Sequence, residues 1–544
     1  MNRLLTRAML IPLISTAAPL EKPNIIVILA DDISARELPV YGSSVWTPPH
    51  PKPGRDSTSD LKYQAHTPVL DRMAQQGCYI QTAWGATICS PSRAMLMTGR
   101  YAHLHKWWFN GDLGTHINEK GEEEVWPLYE SSPLLIGHVA QQAGYRTMWA
   151  GKTQMSGADL SRFGFDSGVF TPGEDDDKKN NGGKPISDFR LIQTRLNKEK
   201  IYINADSGKT GKFSWAASSF YWQPSVRLMN IPYGTGNREW WPNTPESKAT
   251  YGINTYGPDV ELKFSLDFID QQHASGKPFF IYHTMHLGHT AFDFLGQGGK
   301  WTGTPIVKWT GNAYIRTEPA ITGDKGVYDT HSITPPSIHH QINYIDYQIW
   351  LYQKKLKELG IENNTVLIFC ADNGTMTYGK ASPIRQRGCH IPMIIYAPNM
   401  AKHGRQDILV NLADILPTLA DIVGFKFPAN YEVNGKSLWP YLTANKQTHR
   451  DWIYSYQGDK QLIRGHKVLR DGKGLWWNVE QKPENMDRYP QITDWSNVSE
   501  MHLMERSTLE KLLPRFDKHT EQHDAPITNK RNIDFKPATT KPKV

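Results

Sequence analysis

The chain has 544 residues, which is enough for one large domain and a smaller second one. Charged residues make up 21% of it and hydrophobic residues 39%, a balance that excludes a fibrous or wholly disordered protein. The net charge of +7 favours an anionic partner, but no block of Lys and Arg residues and no nucleic-acid-binding motif accompanies it. We therefore expect a globular protein that does not bind nucleic acid.

The first 18 residues have the pattern of a secretory signal peptide. A basic segment that ends at Arg7 is followed by a short apolar segment and by the small residues Ala17 and Ala18. A membrane-spanning helix needs about 20 apolar residues, and neither this segment nor a later one reaches that length. The sequence predicts a secreted or periplasmic protein with a cleaved signal over residues 1–18 and no membrane span.

Three apolar runs predict buried strands of a parallel sheet. They are residues 24–30, 277–283 and 365–371. Segments with helical periodicity alternate with them. These segments are residues 69–74, 134–143 and 342–359. Such alternation is typical of an α/β domain, in which ligands bind beyond the carboxyl ends of the strands.

Polar residues follow the first and the last of these strands directly. Asp31 and Asp32 come after the first strand, and Asp372 and Asn373 come after the last. Three carboxylates and an amide oxygen, without His or Cys in the motif, select a hard divalent cation. Each pair alone is also common as a helix cap or a turn, so the predicted metal site depends on the two pairs lying together.

The segment Cys89-Ser90-Pro91-Ser92-Arg93 predicts the start of a helix. Ser90 is a good N-cap, and Pro91 suits the first helical position. Residue 89 then lies at a helix N-terminus, where free backbone N–H groups and the helix dipole favour an anion. The alternative interpretation of Cys89 is an ordinary buried thiol.

The chain contains four cysteines and no CxxC motif. They are Cys78, Cys89, Cys370 and Cys389. If Cys89 is modified, at most one disulfide can form, and a bond between Cys370 and Cys389 is conceivable.

Residues 164–250 predict an insertion that contributes to specificity. The periodic pattern weakens there, and a flexible loop occupies residues 173–183. The aromatic residues of the insertion either stack on sugar rings or belong to the core. They are Trp215, Tyr221, Trp222, Trp240 and Trp241.

The large domain is expected to cover residues 22–425 and to end with an amphipathic helix over 409–424. Strand-like segments such as residues 452–456 predict a smaller C-terminal subdomain over 426–515. The remaining residues, 516–544, are polar and rich in Lys, Pro and Thr, which predicts an arm or a disordered tail.

The segment from Cys89 to Arg93, together with Thr98-Gly99-Arg100, resembles the active-site signature of the formylglycine-dependent sulfatases. Matching pieces occur in the family's order from Asn24 to about Leu438. The resemblance implies an alkaline-phosphatase-like fold of the α/β class. Such a fold has a large mixed, mostly parallel sheet sandwiched by helices, and a smaller α+β C-terminal subdomain with a short antiparallel sheet.

The resemblance also implies two cofactors. A formylglycine-generating enzyme would oxidise Cys89 to formylglycine (3-oxoalanine), whose hydrated aldehyde attacks the sulfur of a sulfate ester. One hydroxyl of the hydrate attacks and the other expels the sulfate, a route that a thiolate lacks. The second cofactor is one calcium ion, which lowers the pKa of the diol and polarises the sulfate. By resemblance its ligands are Asp31, Asp32, Asp372, Asn373 and the oxygen of residue 89.

Further roles follow from the resemblance. Arg93 matches the family's Arg that orients the diol, although a surface salt bridge is the simpler alternative. Lys152, in Gly151-Lys152, matches the Lys of a Gly-Lys-x-His motif that contacts sulfate. At the fourth position of that motif this chain has Gln154, which cannot act as the base that the family's His provides. Either another group replaces that base, with His103, His105 and His286 as the candidates, or the turnover of the intermediate is arranged differently.

Two residues in the second half of the chain complete the predicted site. His289 follows the predicted strand over 277–283 and is similar to the family's second active-site His, which binds sulfate and protonates the leaving alcohol. Lys380 lies roughly where the family has its last sulfate-binding Lys. The stretch after it, residues 385–392, departs from the family's usual pattern and is one residue longer.

The sequence thus predicts a sulfatase that acts on a sulfated oligo- or polysaccharide, for example an algal galactan such as carrageenan. A phosphodiesterase or phosphonate monoester hydrolase of the same superfamily is the enzymatic alternative, although no second carboxylate and His cluster accompanies the first. A glycan-binding relative without catalytic activity is another alternative, and it is motivated by Gln154.

Overall fold

The structure is a computed structural model. It describes residues 22–518 except 53, 118–120, 122, 156–158, 172–188, 194–199, 205–209, 213–220, 223, 225, 243, 251–253, 290–302, 323–326, 330 and 482. The predicted signal over residues 1–18 lies outside the described residues, as does Trp215. Among the described residues, we find no helix with both the length and the apolar character that crossing a membrane requires.

The described residues form alternating helices and strands. The strands are β1 (Asn24–Ala30), β2 (Cys78–Trp84), β3 (Thr115–Ile117), β4 (Glu123–Val125), β5 (Arg146–Lys152), β6 (Ser167–Thr171), β7 (Phe189–Gln193), β8 (Lys200–Asn204), β9 (Thr210–Lys212), β10 (Val226–Met229), β11 (Arg238–Trp241), β12 (Phe279–Thr284), β13 (Val307–Trp309), β14 (Tyr314–Arg316), β15 (Ile321–Thr322), β16 (Val327–Tyr328), β17 (Thr365–Ala371), β18 (His390–Ile391), β19 (Met393–Tyr396), β20 (Gly404–Asn411), β21 (Ile453–Gln457), β22 (Lys460–Arg464), β23 (Val468–Arg470) and β24 (Trp476–Asn478). The α-helices are α1 (Pro68–Gln76), α2 (Cys89–Thr98), α3 (Ala102–His105), α4 (Leu128–Ser131), α5 (Ile136–Gln142), α6 (Pro245–Thr250), α7 (Gly257–Ala274), α8 (Ile338–Glu358), α9 (Ile415–Val423), α10 (Trp439–Leu442) and α11 (Glu500–Leu512).

A mixed sheet of eleven strands forms the centre of the fold. Its order is β11-β10-β6-β5-β12-β1-β17-β19-β2-β18, and β20 pairs with β2. The five strands from β6 to β17 in this order run parallel, whereas the pairs at both sides of them are antiparallel. The predicted large mixed sheet is confirmed.

The parallel centre is buried, and its two central strands, β1 and β17, are apolar after their first residue. In β1 and β17 every residue is buried, as expected for strands that are covered on both faces. Helices α1, α7 and α8 pack with one another and with the sheet, and α2, α5 and α9 form a second packed group. The sheet is therefore sandwiched by helices, as the resemblance implied.

A separate four-stranded antiparallel sheet, β21-β22-β23-β24, lies in the C-terminal part of the chain. It confirms the short antiparallel sheet that the resemblance implied there. The strand predicted over residues 452–456 is observed one residue later, as β21. Phe516, which the predicted tail included, is 2% exposed and lies 4.7 Å from Tyr454, ring centre to ring centre. This residue belongs to the folded chain because its ring completes an aromatic cluster, while residues 519–544 lie outside the described part.

The helix predicted over residues 409–424 is wrong in its first part. Residues 404–411 form β20, and α9 begins only at Ile415. The apolar residues Leu409 and Val410 pair with β2 instead of continuing a helix. The periodic pattern of a short segment does not reveal such a long-range partner.

The insertion predicted over residues 164–250 stays a prediction. Within it, β6, β10 and β11 are strands of the large sheet. Tyr221 and Trp222 are 2% and 1% exposed, so these two aromatic residues belong to the core and are not a platform for sugar rings. Trp241 is partly buried against the core. The side chain of Trp240 lies outside the described part.

All four cysteines are free and buried. The conceivable disulfide between Cys370 and Cys389 is therefore absent. Cys370 lies in the central strand β17, and Cys389 packs in a second apolar cluster around Trp84.

Candidate active site

The two polar pairs meet because the strands before them are neighbours. Ala30 of β1 pairs with Ala371 of β17 in the parallel register, so the residues that follow lie side by side. The N–H of Asp32 donates to Oδ1 of Asp372 over 2.9 Å. All four polar residues are completely buried, namely Asp31, Asp32, Asp372 and Asn373. If one pair were only a helix cap and the other only a turn, there would be no reason for two pairs that are distant in sequence to share one buried site.

The buried oxygens suit a hard divalent cation. Oxygen atoms of Asp31, Asp32 and Asp372 lie within 4.8 Å of one another. The side-chain amide of Asn373 donates to Oδ1 of Asp32 over 2.7 Å, while its own Oδ1 is buried without a hydrogen-bond partner. Buried carboxylates and an unpaired amide oxygen are the donors that a calcium ion takes. The residues present therefore fit such an ion.

Cys89 is the first residue of α2 and faces these carboxylates. Its Sγ lies 3.6 Å from Oδ1 of Asp31 and 3.7 Å from Oδ1 of Asp32. Ile88 is the N-cap, so the helix begins earlier than the predicted cap at Ser90. The reason is that the carbonyl of Ile88 accepts both the backbone N–H and the hydroxyl of Ser92. Burial raises the pKa of the Cys89 thiol, so it is poorly suited to act as a thiolate.

Arg93 lies one helical turn after Cys89 and is buried, with 1% of its surface exposed. Its Nη2 lies 2.9 Å from Oδ2 of Asp372 and 3.4 Å from Oδ2 of Asp31. Nη1 donates to the carbonyl of Lys152 over 3.4 Å. A guanidinium held in this way is not a surface salt bridge, so that alternative is wrong.

Two lysines reach the same carboxylates from other elements. Lys152 ends β5, and its Nζ lies 2.5 Å from Oδ2 of Asp31. Lys380 comes from the loop after β17, and its Nζ lies 2.7 Å from Oδ2 of Asp32. Although burial alone would raise the pKa of Asp31, Lys152 and the other nearby cationic groups hold it well below its ordinary value. Burial and then the negative charge of Asp31 raise the pKa of Asp372 to about 7.

His289 completes the group of predicted residues that meet at this site. Its Nε2 lies 3.8 Å from Oδ2 of Asp32, and ligand atoms of Asp31, Cys89 and His289 lie within 4.8 Å of one another. Burial and the nearby charge of Lys152 lower the pKa of His289 to about 4. The imidazole is thus neutral at physiological pH.

Gly288 allows this turn to approach the carboxylates. It has φ +106°, and a Cβ atom there would lie 1.8 Å from the carbonyl oxygen of Asp31. We expect Gly288→Ala to lower the free energy of unfolding by more than the backbone strain of a positive φ alone would, because the backbone of Asp31 must also move to make room for the Cβ atom. Gly311→Ala is the matched control, since Gly311 has φ +104° with open space around it. Its strain costs about 1–3 kcal/mol. Denaturant unfolding of both variants tests this, and equal losses of stability would contradict it.

Gln154 lies two residues beyond Lys152, in the left-handed backbone region at φ +51°. Its Oε1 is buried and has no hydrogen-bond partner. Among the candidates to replace the missing base, His105 contacts the hydroxyl of Tyr456 at 2.9 Å, and His103 packs against the ring of Phe516. Both face the C-terminal part of the chain. The third candidate, His286, lies beside the site, because its Nε2 lies 2.9 Å from the hydroxyl of Thr171, which pairs in register with Lys152. Burial and the nearby charge of Lys152 lower the pKa of His286.

Sequence reasoning missed two residues next to the site. The hydroxyl of Tyr221 donates to the carbonyls of His286 and His289 over 2.7 and 2.8 Å. Glu261 lies in the second turn of α7, with Oε1 2.9 Å from Nδ1 of His286. Tyr221 was noted only as one of several aromatic residues, and Glu261 belongs to no motif.

A sequence model of the family described as Sulfatase matches residues 23–425. The chain belongs to the sulfatase family. The resemblance seen in the active-site signature is thereby confirmed, and the sulfatase is a sulfuric ester hydrolase. The glycan-binding alternative without catalysis has no support from these relatives.

Curated relatives of this sulfatase cover most of its length. It is 24% identical over 468 residues to N-acetylgalactosamine-6-sulfatase of Rattus norvegicus, which covers 82% of this chain and 70% of the relative. It is 25% identical over 467 residues to a sulfatase of Formosa agariphila, which covers 79% of this chain and 74% of the relative. Both relatives are named as sulfatases.

Solved structures have the same fold. Ps i-CgsB in complex with k-i-k-neocarrahexaose superimposes with a TM-score of 0.57 at 19% identity, over 91% of this chain and 93% of that one. A structure in complex with its substrate D-glucosamine-2-N,6-O-disulfate gives a TM-score of 0.55 at 15% identity, over 93% of this chain and all of that one. With these neighbours, the predicted alkaline-phosphatase-like fold is confirmed.

Proposed function

We propose that this sulfatase hydrolyses a sulfate ester of a carbohydrate by means of a formylglycine at position 89 and one calcium ion. The observation that carries the proposal is the position of Cys89. It lies at the N-terminus of a buried helix, within 3.7 Å of two carboxylates that also contact Lys152 and Lys380. Nucleophile, metal ligands and anion-binding groups thus lie in one site.

The environment of Cys89 supports its conversion. A buried thiol with a raised pKa, next to two carboxylates, is a weak nucleophile. Formylglycine would supply a hydrated aldehyde, in which one hydroxyl attacks sulfur and the other allows sulfate to leave. Residue 89 lies at the N-terminus of α2, where the positive end of the helix dipole favours the anion that reacts there.

The proposed calcium ligands are the side chains of Asp31, Asp32, Asp372 and Asn373, together with residue 89. A bound calcium ion would polarise sulfate oxygens and lower the pKa of a coordinated hydroxyl. When all are ionised, the three carboxylates balance the charges of Arg93, Lys152 and Lys380. A divalent cation would give the site a net positive charge, which attracts the sulfate group.

The three cationic side chains differ in how many contacts hold them in place. Arg93 is tied to two carboxylates and a carbonyl, so it holds residue 89 and the metal ligands in a fixed arrangement. Lys152 and Lys380 each contact one carboxylate through a flexible side chain. We infer that both lysines turn to sulfate oxygens when a substrate binds.

His289 is the proposed proton donor to the leaving alcohol. A sulfate group beside its ring raises the pKa of His289 above its low value, because a nearby anion favours the charged imidazole. The proton on Nε2 then passes to the ester oxygen as the bond from that oxygen to sulfur breaks. Gln154 cannot accept a proton, so we assign it to polar contact with the substrate through its unpaired Oε1.

A sulfated oligo- or polysaccharide is the proposed substrate class, with an algal galactan such as carrageenan as one example. The net charge of +7 favours a polyanion. One neighbour of the fold binds a neocarrahexaose, and another binds a sulfated glucosamine. We further propose a cleaved signal over residues 1–18, a secreted or periplasmic location and maturation by a formylglycine-generating enzyme.

The enzymatic alternative is hydrolysis of phosphodiesters or phosphonate monoesters. In the part of the chain that the structure describes, the groups able to hold a metal ion all include Asp31, so they belong to one site. A single metal position disfavours phosphate monoesters, which carry one more negative charge than a sulfate ester. Phosphodiesters and phosphonate monoesters carry the same charge as a sulfate ester, so only an assay separates them.

The substrate class is tested with protein that was co-expressed with a formylglycine-generating enzyme. Sulfate release is followed by ion chromatography on carrageenan oligosaccharides, sulfated glycosaminoglycan disaccharides and phosphodiesters. Release from at least one sulfated sugar supports the proposal and identifies the substrate. Turnover of phosphodiesters alone would overturn it.

A further inference from the structure

Glu261 is a buried carboxylate behind the active site. It lies on α7, which packs against β5 and thus behind Lys152. Its side chain contacts two histidines: Oε1 lies 2.9 Å from Nδ1 of His286, and Oε2 lies 3.6 Å from Nε2 of His283. Glu261 is 1% exposed. Burial raises the pKa of Glu261 well above its ordinary value and lowers the pKa of both histidines, so a neutral acid lies beside two neutral rings.

The ring of His286 is hydrogen-bonded at one nitrogen and contacts Glu261 at the other, where no well-aligned hydrogen bond forms. Nδ1 faces Glu261, and Nε2 lies 2.9 Å from the hydroxyl of Thr171. Thr171 ends β6 and pairs in register with Lys152. The ring therefore has one orientation, fixed between α7 and the end of the strand that carries Lys152.

His286 also begins the turn that presents His289. The N–H of His289 donates to the carbonyl of His286 over 3.1 Å. The hydroxyl of Tyr221 joins the carbonyls of both histidines. His286 thus joins Glu261 and Thr171, which contact its ring, to the turn that carries His289, which contacts its carbonyl.

We propose that Glu261 is a positioning residue that acts through His286 to hold His289 in place for proton donation to the leaving alcohol. The inference rests on the proposed function, in which His289 gives its Nε2 proton to the ester oxygen while the electron pair of the breaking bond stays on that oxygen. Glu261 itself gains and loses nothing in this step.

Proton donation matters in proportion to the basicity of the leaving group. A sugar alkoxide is strongly basic and needs a proton as it leaves, whereas 4-nitrophenolate is stable without one. A variant that misplaces only the proton donor should therefore lose activity on sulfated sugars and keep it on 4-nitrophenyl sulfate. A variant that loosens the whole site should lose both.

The test uses Glu261→Gln in the full-length, formylglycine-containing, calcium-loaded protein. We expect kcat on the sulfated sugar to fall about 10-fold more than kcat on 4-nitrophenyl sulfate, which is part of the ~10²–10⁴-fold that acid–base catalysis contributes. KM for the sugar should stay nearly unchanged.

If the enzyme does not hydrolyse 4-nitrophenyl sulfate, single-turnover experiments on the sulfated sugar test the same prediction. The alcohol should then form about 10-fold more slowly while the later release of sulfate keeps its rate.

Asp346→Asn is the matched control. Asp346 is also buried, but it accepts from the N–H groups of Val69 and Leu70 at the start of α1. Its variant should lower stability and leave the ratio of the two activities unchanged. His286→Asn replaces Glu261→Gln if the latter does not fold, because Asn can still donate to Glu261 but lacks the second ring nitrogen.

The outcomes separate this inference from the proposed function. Wild-type protein that hydrolyses no sulfate ester would overturn both. An active wild type with equal losses on the two substrates in Glu261→Gln, or with slower sulfate release in single turnovers, would overturn the positioning role alone.

Discussion

Cys89→Ala is expected to reduce sulfate release by roughly 10⁴-fold or more, the scale on which the loss of a covalent nucleophile acts. The reason is that alanine cannot become formylglycine, while the fold and the carboxylates near it remain. The measurement is the rate of sulfate release from a sulfated oligosaccharide. The enzyme is in excess over the substrate, and the reaction is followed long enough to detect slow turnover.

The matched control is Cys78→Ala. Cys78 is another free and completely buried thiol, but it lies at the start of β2, where it pairs with β19 and β20. This variant should keep wild-type turnover and lose only a little stability. Wild-type activity in Cys89→Ala would contradict the role of residue 89, and equal losses in both variants would indicate damage to the fold instead.

Removal of the divalent ion is the second change with a large expected effect. Chelation should abolish turnover and lower the thermal stability, because three buried carboxylates, Asp31, Asp32 and Asp372, then rely on protein cations alone. Calcium should restore both properties. Calcium at 100 times its Kd would stabilise the folded protein by about 2.7 kcal/mol. Turnover assays and thermal unfolding across a calcium titration measure these effects.

Asp32→Asn and Asp346→Asn separate the metal site from a general effect of losing a carboxylate. We expect Asp32→Asn to need more calcium for the same thermal shift, and Asp346→Asn to leave the calcium dependence unchanged. Full turnover after chelation, or equal restoration by zinc, would be evidence against an oxygen-liganded calcium site.

The core of the fold could be predicted because its strands are locally distinctive. The runs at residues 24–30 and 365–371 are apolar after their first residue, and β1 and β17 have these bounds. Polar residues directly after such runs lie at one edge of a parallel sheet, so Asp31 and Asp372 could be expected to meet. The neighbouring predictions were less accurate where a partner strand far away in sequence decides the structure, as at Leu409.

The surroundings of the site could not be predicted from local patterns. The contact between Glu261 and His286 joins the second turn of a helix to a loop turn, and neither residue belongs to a motif. The burial of Tyr221 against that turn depends on how a weakly patterned segment folds back onto the sheet. Motifs indicated which residues meet at residue 89, while packing decides which residues support them.

Mass spectrometry of the peptide that contains residue 89, combined with sulfate release from the same preparation, tests the central claim most directly. We predict that the thiol is replaced by an aldehyde after co-expression with a formylglycine-generating enzyme, and that sulfate release rises in proportion to the converted fraction. Complete conversion without release from any sulfated carbohydrate, or full release from unconverted Cys89, would contradict the account.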